Sequence, residues 1–455
     1  MLWTSSAIAA ATGGAASADF AVSGVAYDSR EVGPGDLFIA LKGEHTDGHR
    51  FVPQAFAQGA AGVIAAQPVE GPHVLVADTA AALNALGAAS RARTAAKIVG
   101  VTGSVGKTGV KEALYAAFDR AAPGRAHRSL KSYNNHVGVP LSLARMPADA
   151  RFGVFEMGMN HAGELDALTK LVRPHVALVT AIAPAHSAFF SGEEAIADAK
   201  GEIFRGLEPG GTAILPFDSP HCDRLLAAAR PYAANILTFG RGQGADVRAT
   251  EAMRGATGTL INATLPGGQL TFTVGMPGEH WVSNALAVLA AVEAAGDDLA
   301  AAGLALAEMN GLPGRGRRLA VPVPGGEALL IDEAYNANPA SMAATIRELG
   351  HEKAARRIVL LGEMRELGEE SADFHRALAQ PIEAAGVAIA LLVGEGTTPL
   401  AESLAGRIEV EQCADAATAK ARLAELLRPG DAVLVKGSNA IGLGRVVETL
   451  AGDIV

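Results

Sequence analysis

Short apolar segments alternate with helical stretches along the middle of the chain, and this alternation most restricts the fold. The apolar segments are KIVGVTG (97–103), FGVFEMG (152–158), VALVTAI (176–182) and TAILPFD (212–218). Parallel strands need crossover connections, and helices usually supply them. The alternation therefore predicts an α/β fold with a mostly parallel central sheet and helices on both of its faces.

The length of 455 residues is enough for about three domains. Residues 1–96 mix short strands with alanine-rich helices, which predicts a small N-terminal α/β domain. Residues 97–314 form the predicted central domain, and its segment 245–280 carries the Gly-Gly and Pro-Gly breaks of antiparallel hairpins. After the loop GLPGRGRR, a second series of buried-type strands predicts a Rossmann-like C-terminal domain over 315–455.

Charge and targeting signals exclude several classes of protein. With 38 Lys and Arg against 48 Asp and Glu, the net charge is −10, which argues against a broad nucleic-acid-binding face. Cys222 and Cys413 lie in no metal-binding motif and indicate reduced cytoplasmic thiols. The apolar N-terminus lacks a basic start and is interrupted by Gly13 and Gly14, so we expect a helix that ends at glycine. No uncharged apolar run approaches the ~18 residues of a membrane span, and we expect no membrane insertion.

The segment VGVTGSVGKTG (99–109) places a glycine-rich turn between a strand and a helix. In such a turn, Gly103, Ser104 and Gly106 would offer backbone N–H groups to phosphate oxygens. Lys107 would reach the terminal phosphates of a nucleotide, and the Thr108 hydroxyl would bind Mg²⁺. The segment departs from the usual phosphate loop because no glycine stands five residues before Gly106.

Two acidic segments help to decide which reaction the bound nucleotide would take part in. Glu156 ends the next apolar strand, where a carboxylate faces bound nucleotide and Mg²⁺. Leu329–Glu333 is similar to the acidic strand of a motor ATPase, with Glu333 in the place of the residue that activates water. It lies beyond the predicted domain boundary, whereas a motor ATPase keeps this strand in the sheet of its phosphate loop. A motor is therefore the weaker interpretation.

Four further motifs carry a family resemblance. They are YDSREVGPGDLFIALKGEHTDGH (27–49), NNHVGVPLSL (134–143), YNANPASM (335–342) and GEMRELGEESADFH (362–375). From about Asp28 to Arg445, the chain resembles the ATP-dependent Mur ligases of peptidoglycan synthesis. It is most similar to the branch that acts on D-alanyl-D-alanine, and the Asp-Asn-Pro-Arg motif of the branch that adds the third peptide residue is absent.

The resemblance implies a reaction and its ligands. ATP would phosphorylate the free carboxylate of UDP-N-acetylmuramoyl-tripeptide, and the amine of D-alanyl-D-alanine would attack the acyl phosphate. The cofactor would be Mg²⁺, and we expect a cytoplasmic monomer. Two alternatives stay open, namely a ligase similar to folylpolyglutamate synthetase and a phosphate-loop ATPase switch that needs no amine.

The resemblance also assigns roles to individual residues. The catalytic and metal-binding residues would be Lys107, Thr108, Glu156, His186 and Lys200, the last as a carbamate. From its sequence alone, Lys200 is an ordinary surface lysine of a helix. ATP would also contact Asn284 at adenine, Arg315 at a phosphate and Asp332 at the ribose. The UDP-substrate residues would be Ser29, Arg30, Thr46, Asp47, Asn134 and Asn135. Residues for D-alanyl-D-alanine and domain closure would be Tyr335, Asn336 and Asn338.

Three positions depart from the family pattern, namely His136, Glu333 and Asn439. The sequence leaves open the third residue of the acceptor peptide, the base for the incoming amine, and whether the domains are open or closed.

Overall fold

Three large sheets, of five, nine and six strands, follow one another along the chain in the computed structural model, which describes residues 1–43, 46–184, 189–255 and 258–452. The N-terminal part contains one mixed five-stranded sheet of order β2-β7-β6-β5-β4 and a separate antiparallel pair, β1 and β3. Its elements are β1 (Trp3–Thr4), α1 (Ser5–Thr12), β2 (Ala15–Ala16), β3 (Ala21–Val22), β4 (Gly24–Ala26), β5 (Asp36–Ile39), α2 (Val52–Ala57), β6 (Gly62–Ala65), β7 (His73–Leu75) and α3 (Thr79–Ala92).

The N-terminal helix ends as its sequence predicts. Thr4 caps the start of α1 by accepting a hydrogen bond from the backbone N–H of Ala7, and Gly13 ends the helix with a left-handed φ of 67°. Within the described ranges, no helix is both long and apolar enough to cross a bilayer.

The central part contains nine strands in the order β16-β15-β14-β13-β12-β11-β8-β10-β9. Its elements are β8 (Lys97–Thr102), α4 (Lys107–Ala121), β9 (Ala126–Arg128), α5 (Gly138–Ala144), β10 (Phe152–Glu156), α6 (Glu164–Val172), β11 (Val176–Val179), α7 (Glu193–Gly201), β12 (Thr212–Pro216), α8 (Cys222–Ala229), β13 (Asn235–Gly240), β14 (Val247–Arg254), β15 (Thr259–Leu265), β16 (Gly268–Val274), α9 (Glu279–Ala295) and α10 (Leu299–Glu308). From β9 to β14 every pairing is parallel, whereas β14, β15 and β16 pair antiparallel. The predicted hairpins on a parallel sheet are confirmed.

Helices cover both faces of this central sheet. Along β8, Val99 and Val101 join the core beneath α4, α9 and α10, while Ile98 joins the core beneath α5, α6, α7 and α8. Successive side chains of a strand point to opposite faces, so a sheet buried on both sides needs continuous apolar runs. This is why its strands lack a polar alternation.

The C-terminal part is a second, smaller doubly wound sheet of order β17-β18-β22-β19-β20-β21, in which only β17 and β18 pair antiparallel. Its elements are β17 (Arg317–Val323), β18 (Gly326–Glu333), α11 (Pro339–Gly350), β19 (Arg357–Gly362), α12 (Ser371–Ala377), α13 (Ala379–Ala384), β20 (Val387–Val393), α14 (Thr398–Leu404), β21 (Glu409–Cys413), α15 (Ala416–Leu426), β22 (Ala432–Lys436) and α16 (Leu443–Leu450). The predicted α/β class, with a mostly parallel central sheet and a Rossmann-like C-terminal sheet, is confirmed.

The central and C-terminal sheets carry charged residues at the carboxyl ends of their strands, and these two sheet edges face each other. Glu156 ends β10 in register with Val101 of β8, just before the phosphate loop. Glu333 ends β18 in register with Lys436, the last residue of β22. In parallel sheets, ligands bind outside the carboxyl ends of the strands.

Candidate active site

A cavity of about 520 Å³ lies between these two sheet edges. The central part lines it with the phosphate loop, Glu156, Lys200 and Asn284. The C-terminal wall begins at the Gly314–Arg315 turn and includes Glu333, Tyr335, Asn336, Asn338, Ser341, Thr345 and Lys436. The cavity therefore brings together residues that are far apart in sequence.

The phosphate loop depends on two glycines with positive φ. These are Gly103, at 148°, and Gly106, at 86°. A Cβ at Gly106 would lie 2.7 Å from Oδ1 of Asn284, so a side chain there would clash as well as strain the backbone. Lys107 Nζ donates to the carbonyl of Gly103 at 2.5 Å. Burial lowers the pKa of Lys107, and a bound anion would favour its charged form.

Glu156 is a buried carboxylate with a partner on each oxygen. Its side chain is 1% exposed. Thr108 Oγ1 donates to Oε2 at 2.8 Å, and Asn134 Nδ2 donates to Oε1 at 2.8 Å. The ammonium group of Lys111 lies 3.9 Å from Oε2. These contacts fix Glu156 at the floor of the cavity.

The donor set at Thr108 and Glu156 fits Mg²⁺ in part. A hydroxyl and a carboxylate are hard oxygen ligands, and Mg²⁺ keeps several waters and substrate oxygens beside one or two such protein ligands. In the described part of the chain, no group of three or more His, Cys, Asp and Glu residues could hold a metal ion. His186, the predicted ligand of the second metal, lies outside the described residues.

Lys200 is buried rather than placed on the helix surface. It is 1% exposed, lies at the end of α7 and lines the cavity. Burial and the nearby charge of Lys107 hold its pKa well below the usual range. A neutral amine is the form that reacts with CO₂, so this environment suits carbamylation. Lysines of helices are mostly exposed, so the sequence of α7 alone did not indicate this burial.

Of the three further residues predicted to contact ATP, Asn284 and Arg315 line the cavity and Asp332 does not. Asn284 lies at the phosphate loop, and Arg315 stacks with its guanidinium carbon 4.1 Å from the ring centroid of Tyr335. Asp332 is not among the residues that line the cavity, and its carboxylate accepts the backbone N–H of Gly314 at 2.7 Å. A ribose contact for Asp332 stays a prediction.

Glu333 does line the cavity, beside Lys436. Their charged groups are 3.5 Å apart, and Lys436 Nζ also donates to the carbonyl of Asn336 at 2.9 Å. Burial raises the pKa of Glu333 and lowers that of Lys436. His280 lines the same region, and burial lowers its pKa to about 4, so it is neutral near pH 7. Glu333, one of the departures from the family pattern, therefore presents its carboxyl group to the cavity beside a lysine and a neutral histidine.

The three residues predicted for D-alanyl-D-alanine and closure all line this wall. Tyr335 supports Arg315, and Asn336 offers its carbonyl to Lys436. Asn338 caps α11 by accepting from the backbone N–H of Ser341 at 2.9 Å. The motif therefore shapes the turn between β18 and α11.

The predicted UDP-substrate residues divide between two places. Asn134 lines the cavity, whereas Ser29, Arg30, Thr46, Asp47 and Asn135 are not among the residues that line it. The guanidinium of Arg30 is exposed and lies 2.6 Å from Asp28. Asn135 accepts the backbone N–H of Gly138 at 2.9 Å, at the start of α5.

One buried residue near the site escapes the sequence interpretation, namely Lys111. It lies four residues after Lys107 on α4, beside the apolar positions Val110 and Leu114, and it is fully buried. Its position beside the apolar face of a helix that starts at a phosphate loop was the sequence signal for its burial. A buried ammonium group needs polar partners, so such a lysine is expected to contact polar groups near the loop.

Comparisons with known proteins agree over nearly the whole chain. Three family profiles match: "Mur ligase family, catalytic domain" over residues 21–116, "Mur ligase middle domain" over 101–292 and "Mur ligase, glutamate ligase domain" over 317–439. The UDP-N-acetylmuramoyl-tripeptide--D-alanyl-D-alanine ligase of Synechocystis sp. is 34% identical over 446 residues, which cover 96% of this chain and 94% of that protein.

Two solved structures extend this similarity. A crystal structure of MurF from Acinetobacter baumannii is 32% identical, with a TM-score of 0.85 and coverage of 99% of both chains. The MurF ligase of Thermotoga maritima in complex with ADP is 27% identical, with a TM-score of 0.78 and coverage of 94% of this chain and 97% of that one.

Proposed function

The chain belongs to the Mur ligase family, and from this premise we propose that it is an ATP-dependent ligase that joins D-alanyl-D-alanine to UDP-N-acetylmuramoyl-tripeptide. The terminal phosphoryl group of ATP moves to the free carboxylate of the tripeptide, giving ADP and an acyl phosphate. The amine nitrogen of D-alanyl-D-alanine then attacks the acyl carbon. An amide forms as the bond between the acyl carbon and the phosphate oxygen breaks, phosphate leaves, and the attacking nitrogen loses one proton. Phosphorylation is needed because a carboxylate is a poor electrophile.

The observation that carries this proposal is the composition of the cavity. One wall holds the phosphate loop with Lys107, Glu156 and Lys200, and the opposite wall holds the segment that begins at Glu333. A ligase that passes through an acyl phosphate needs its phosphoryl donor and its amine acceptor beside the same carboxylate. Closure of the two sheets over this cavity would also keep water away from the acyl phosphate.

The residues of the chain would act on the phosphates as follows. Lys107 would exchange the carbonyl of Gly103 for phosphate oxygens, and Arg315 would bring a second positive charge from the opposite wall. Thr108 and Glu156 would hold Mg²⁺, which when bound neutralises charge on the phosphoryl group. Asn284 would bind near the nucleotide base.

Lys200 would carry the carbamate. Its neutral amine nitrogen would form a bond to the carbon of CO₂ and release one proton, which replaces a neutral amine with an anionic oxygen donor. The burial of Lys200 and its lowered pKa support this assignment. The carbamate and His186 together would be the ligands of a second Mg²⁺.

The remaining assignments are proposals of the same kind. Residues 1–96 would bind the UDP-substrate, 97–314 ATP, and 315–455 would close over both and admit D-alanyl-D-alanine. Ser29, Arg30, Thr46 and Asp47 would contact the UDP-substrate with Asn134 and Asn135. A cytoplasmic, monomeric enzyme remains our expectation.

The release of ADP tests the proposal directly. We expect turnover only when ATP, UDP-N-acetylmuramoyl-tripeptide and D-alanyl-D-alanine are all present, and little ADP when either co-substrate is omitted. Rapid ADP release by the protein alone would favour the ATPase switch. Turnover with a folate and glutamate, but not with the cell-wall substrates, would favour the ligase similar to folylpolyglutamate synthetase.

A further inference from the structure

The loop at residues 129–135, here called the junction loop, contacts three parts of the molecule. Lys131 and Tyr133 both contact Glu31 of the N-terminal part, and the Tyr133 hydroxyl lies 2.9 Å and 2.8 Å from its two carboxylate oxygens. Burial and the hydrogen bond to Glu31 raise the pKa of Tyr133, so its hydroxyl keeps the proton that it donates. Glu31 directly follows the predicted UDP-substrate residue Arg30.

Two other residues of the junction loop, Ser132 and Asn134, line the cavity. Ser132 accepts a hydrogen bond from Arg315 Nη2 at 3.2 Å, and Asn134 donates to Glu156 at 2.8 Å. Partners therefore alternate along the junction loop between the N-terminal part and the nucleotide site.

The buried side chain of Lys111 forms a hydrogen bond to the backbone of the junction loop. Its Nζ donates to the carbonyl of Lys131 at 2.7 Å and lies 2.9 Å from a carboxylate oxygen of Glu112. The same ammonium group is 3.9 Å from Glu156. One fully buried side chain thus contacts both the turn of the junction loop and the carboxylate at the floor of the cavity.

The turn that Lys111 holds is strained. Lys131 has a φ of 49°, in the left-handed region that residues other than glycine seldom adopt. Such a conformation persists only where surrounding contacts impose it. The hydrogen bond from Lys111 and the ion pair between Lys131 and Glu31 are two such contacts. The strained turn therefore depends on partners from both the central and the N-terminal parts.

We propose that Lys111 is a positioning residue that holds the junction loop so that binding at the UDP-substrate site and binding at the nucleotide site favour each other. Contact with the UDP-substrate stabilises the bonds between Glu31 and the junction loop, and the loop in turn holds Asn134 against Glu156. This inference rests on the proposed function, because it takes the UDP-substrate site from that assignment. Lys111 itself need not touch either ligand.

The experiment measures the affinity for ADP with Mg²⁺ by calorimetry, with and without saturating UDP-N-acetylmuramoyl-tripeptide. In the unsubstituted protein, we expect the tripeptide substrate to tighten ADP binding by at least about fivefold. Lys111→Met keeps the length of the side chain but removes the ammonium group. We expect it to bind each ligand alone, while the ratio of the two ADP affinities falls to about 1.

Two further variants separate positioning from folding. Tyr133→Phe removes only the hydroxyl that contacts Glu31, and we expect it to reduce the ratio without a change in ADP affinity alone. Lys170→Met, at an exposed lysine of α6 that pairs with Asp166, should retain the full ratio. If Lys111→Met fails to fold, as judged by circular dichroism, Tyr133→Phe decides.

An affinity ratio of about 1 in the unsubstituted protein would overturn the inference, as would an unchanged ratio in folded Lys111→Met or in Tyr133→Phe. The proposed function has a different mode of failure. It fails if the unsubstituted protein does not turn over the three substrates, whatever the binding ratio.

Discussion

At the scale of single residues, Lys107 carries the most direct prediction. Its ammonium group bonds the carbonyl of Gly103, and its partner during the reaction would be a phosphate. Lys107→Ala should reduce kcat by at least about a thousandfold, since cationic stabilisation of a transferring phosphoryl group has effects of this size. Steady-state ADP release measures the loss, and the unfolding temperature should stay near that of the unsubstituted protein. Near-normal turnover by the folded variant would remove the phosphate loop from the mechanism.

Lys200 tests the proposed carbamate. Lys200→Ala should be nearly inactive but folded, and added acetate or formate should restore part of the activity by supplying a carboxylate in the vacated space. The intact protein should gain the mass of one CO₂ when measured gently in bicarbonate buffer. Added amines are the matched control and should restore nothing. Full activity of the alanine variant would show that Lys200 has no role in the reaction.

The two lysines also show how far sequence alone reaches at this scale. Lys107 could be predicted because a local pattern of glycine, lysine and threonine fixes both its conformation and its ligand. The burial of Lys200 was not predicted from the sequence of its helix, and for Lys111 the local signal is its place beside the apolar positions Val110 and Leu114. Family resemblance supplied Lys200, and nothing in the motifs supplied Lys111.

At the scale of elements, a neutral histidine of β9 connects this strand to helix α5 by a hydrogen bond. His127 on β9 donates from Nε2 to the carbonyl of Ser142 at 2.8 Å, and burial lowers its pKa to about 4. The unfolded chain has the ordinary pKa near 6.5 and therefore binds more protons between these values. Stability is full above about pH 6.5 and is lost as the pH falls towards 4, by up to about 1.4 kcal/mol per pH unit.

Urea unfolding from pH 7 to pH 4.5 measures this dependence. His127→Gln keeps a side-chain donor for Ser142 but cannot titrate, so its free energy of unfolding should fall less steeply with acid than that of the unsubstituted protein. Equal slopes for the two proteins would show that His127 titrates normally in the folded state.

Most elements themselves could be predicted from sequence, because burial on both faces forces apolar runs and crossover helices separate them. Strand β10 coincides with the apolar run that begins at Phe152, and the hairpins β14 to β16 follow the predicted glycine breaks. The pairing order of the nine strands needed the structure, since the apolar runs are too similar to specify their neighbours.

At the scale of the whole molecule, ion pairs join the central part to the C-terminal part. Arg254, at the end of β14, lies 2.7 Å from Glu348 of α11 and 3.7 Å from Glu352. Glu352 also pairs with Arg318 of β17 at 2.5 Å. Nothing in the sequence predicted these pairs, because charged residues on separate domains meet only when the sheets face each other.

These ion pairs should favour the closed arrangement, in which both walls of the cavity contact the nucleotide. Partly exposed pairs contribute about 1 kcal/mol or less, so Arg254→Ala should raise the KM for ATP by at most about fivefold. The value of kcat should change little because the reacting groups stay in place. Added salt should raise the KM of the unsubstituted protein towards that of the variant, since screening weakens exposed pairs. Arg224→Ala is the matched control, because Arg224 is about as exposed as Arg254 and pairs with Asp198 inside the central part. A KM for ATP that neither Arg254→Ala nor salt alters would mean that these ion pairs do not contribute to closure, and would leave the contact of Arg315 with Ser132 to hold the two parts together.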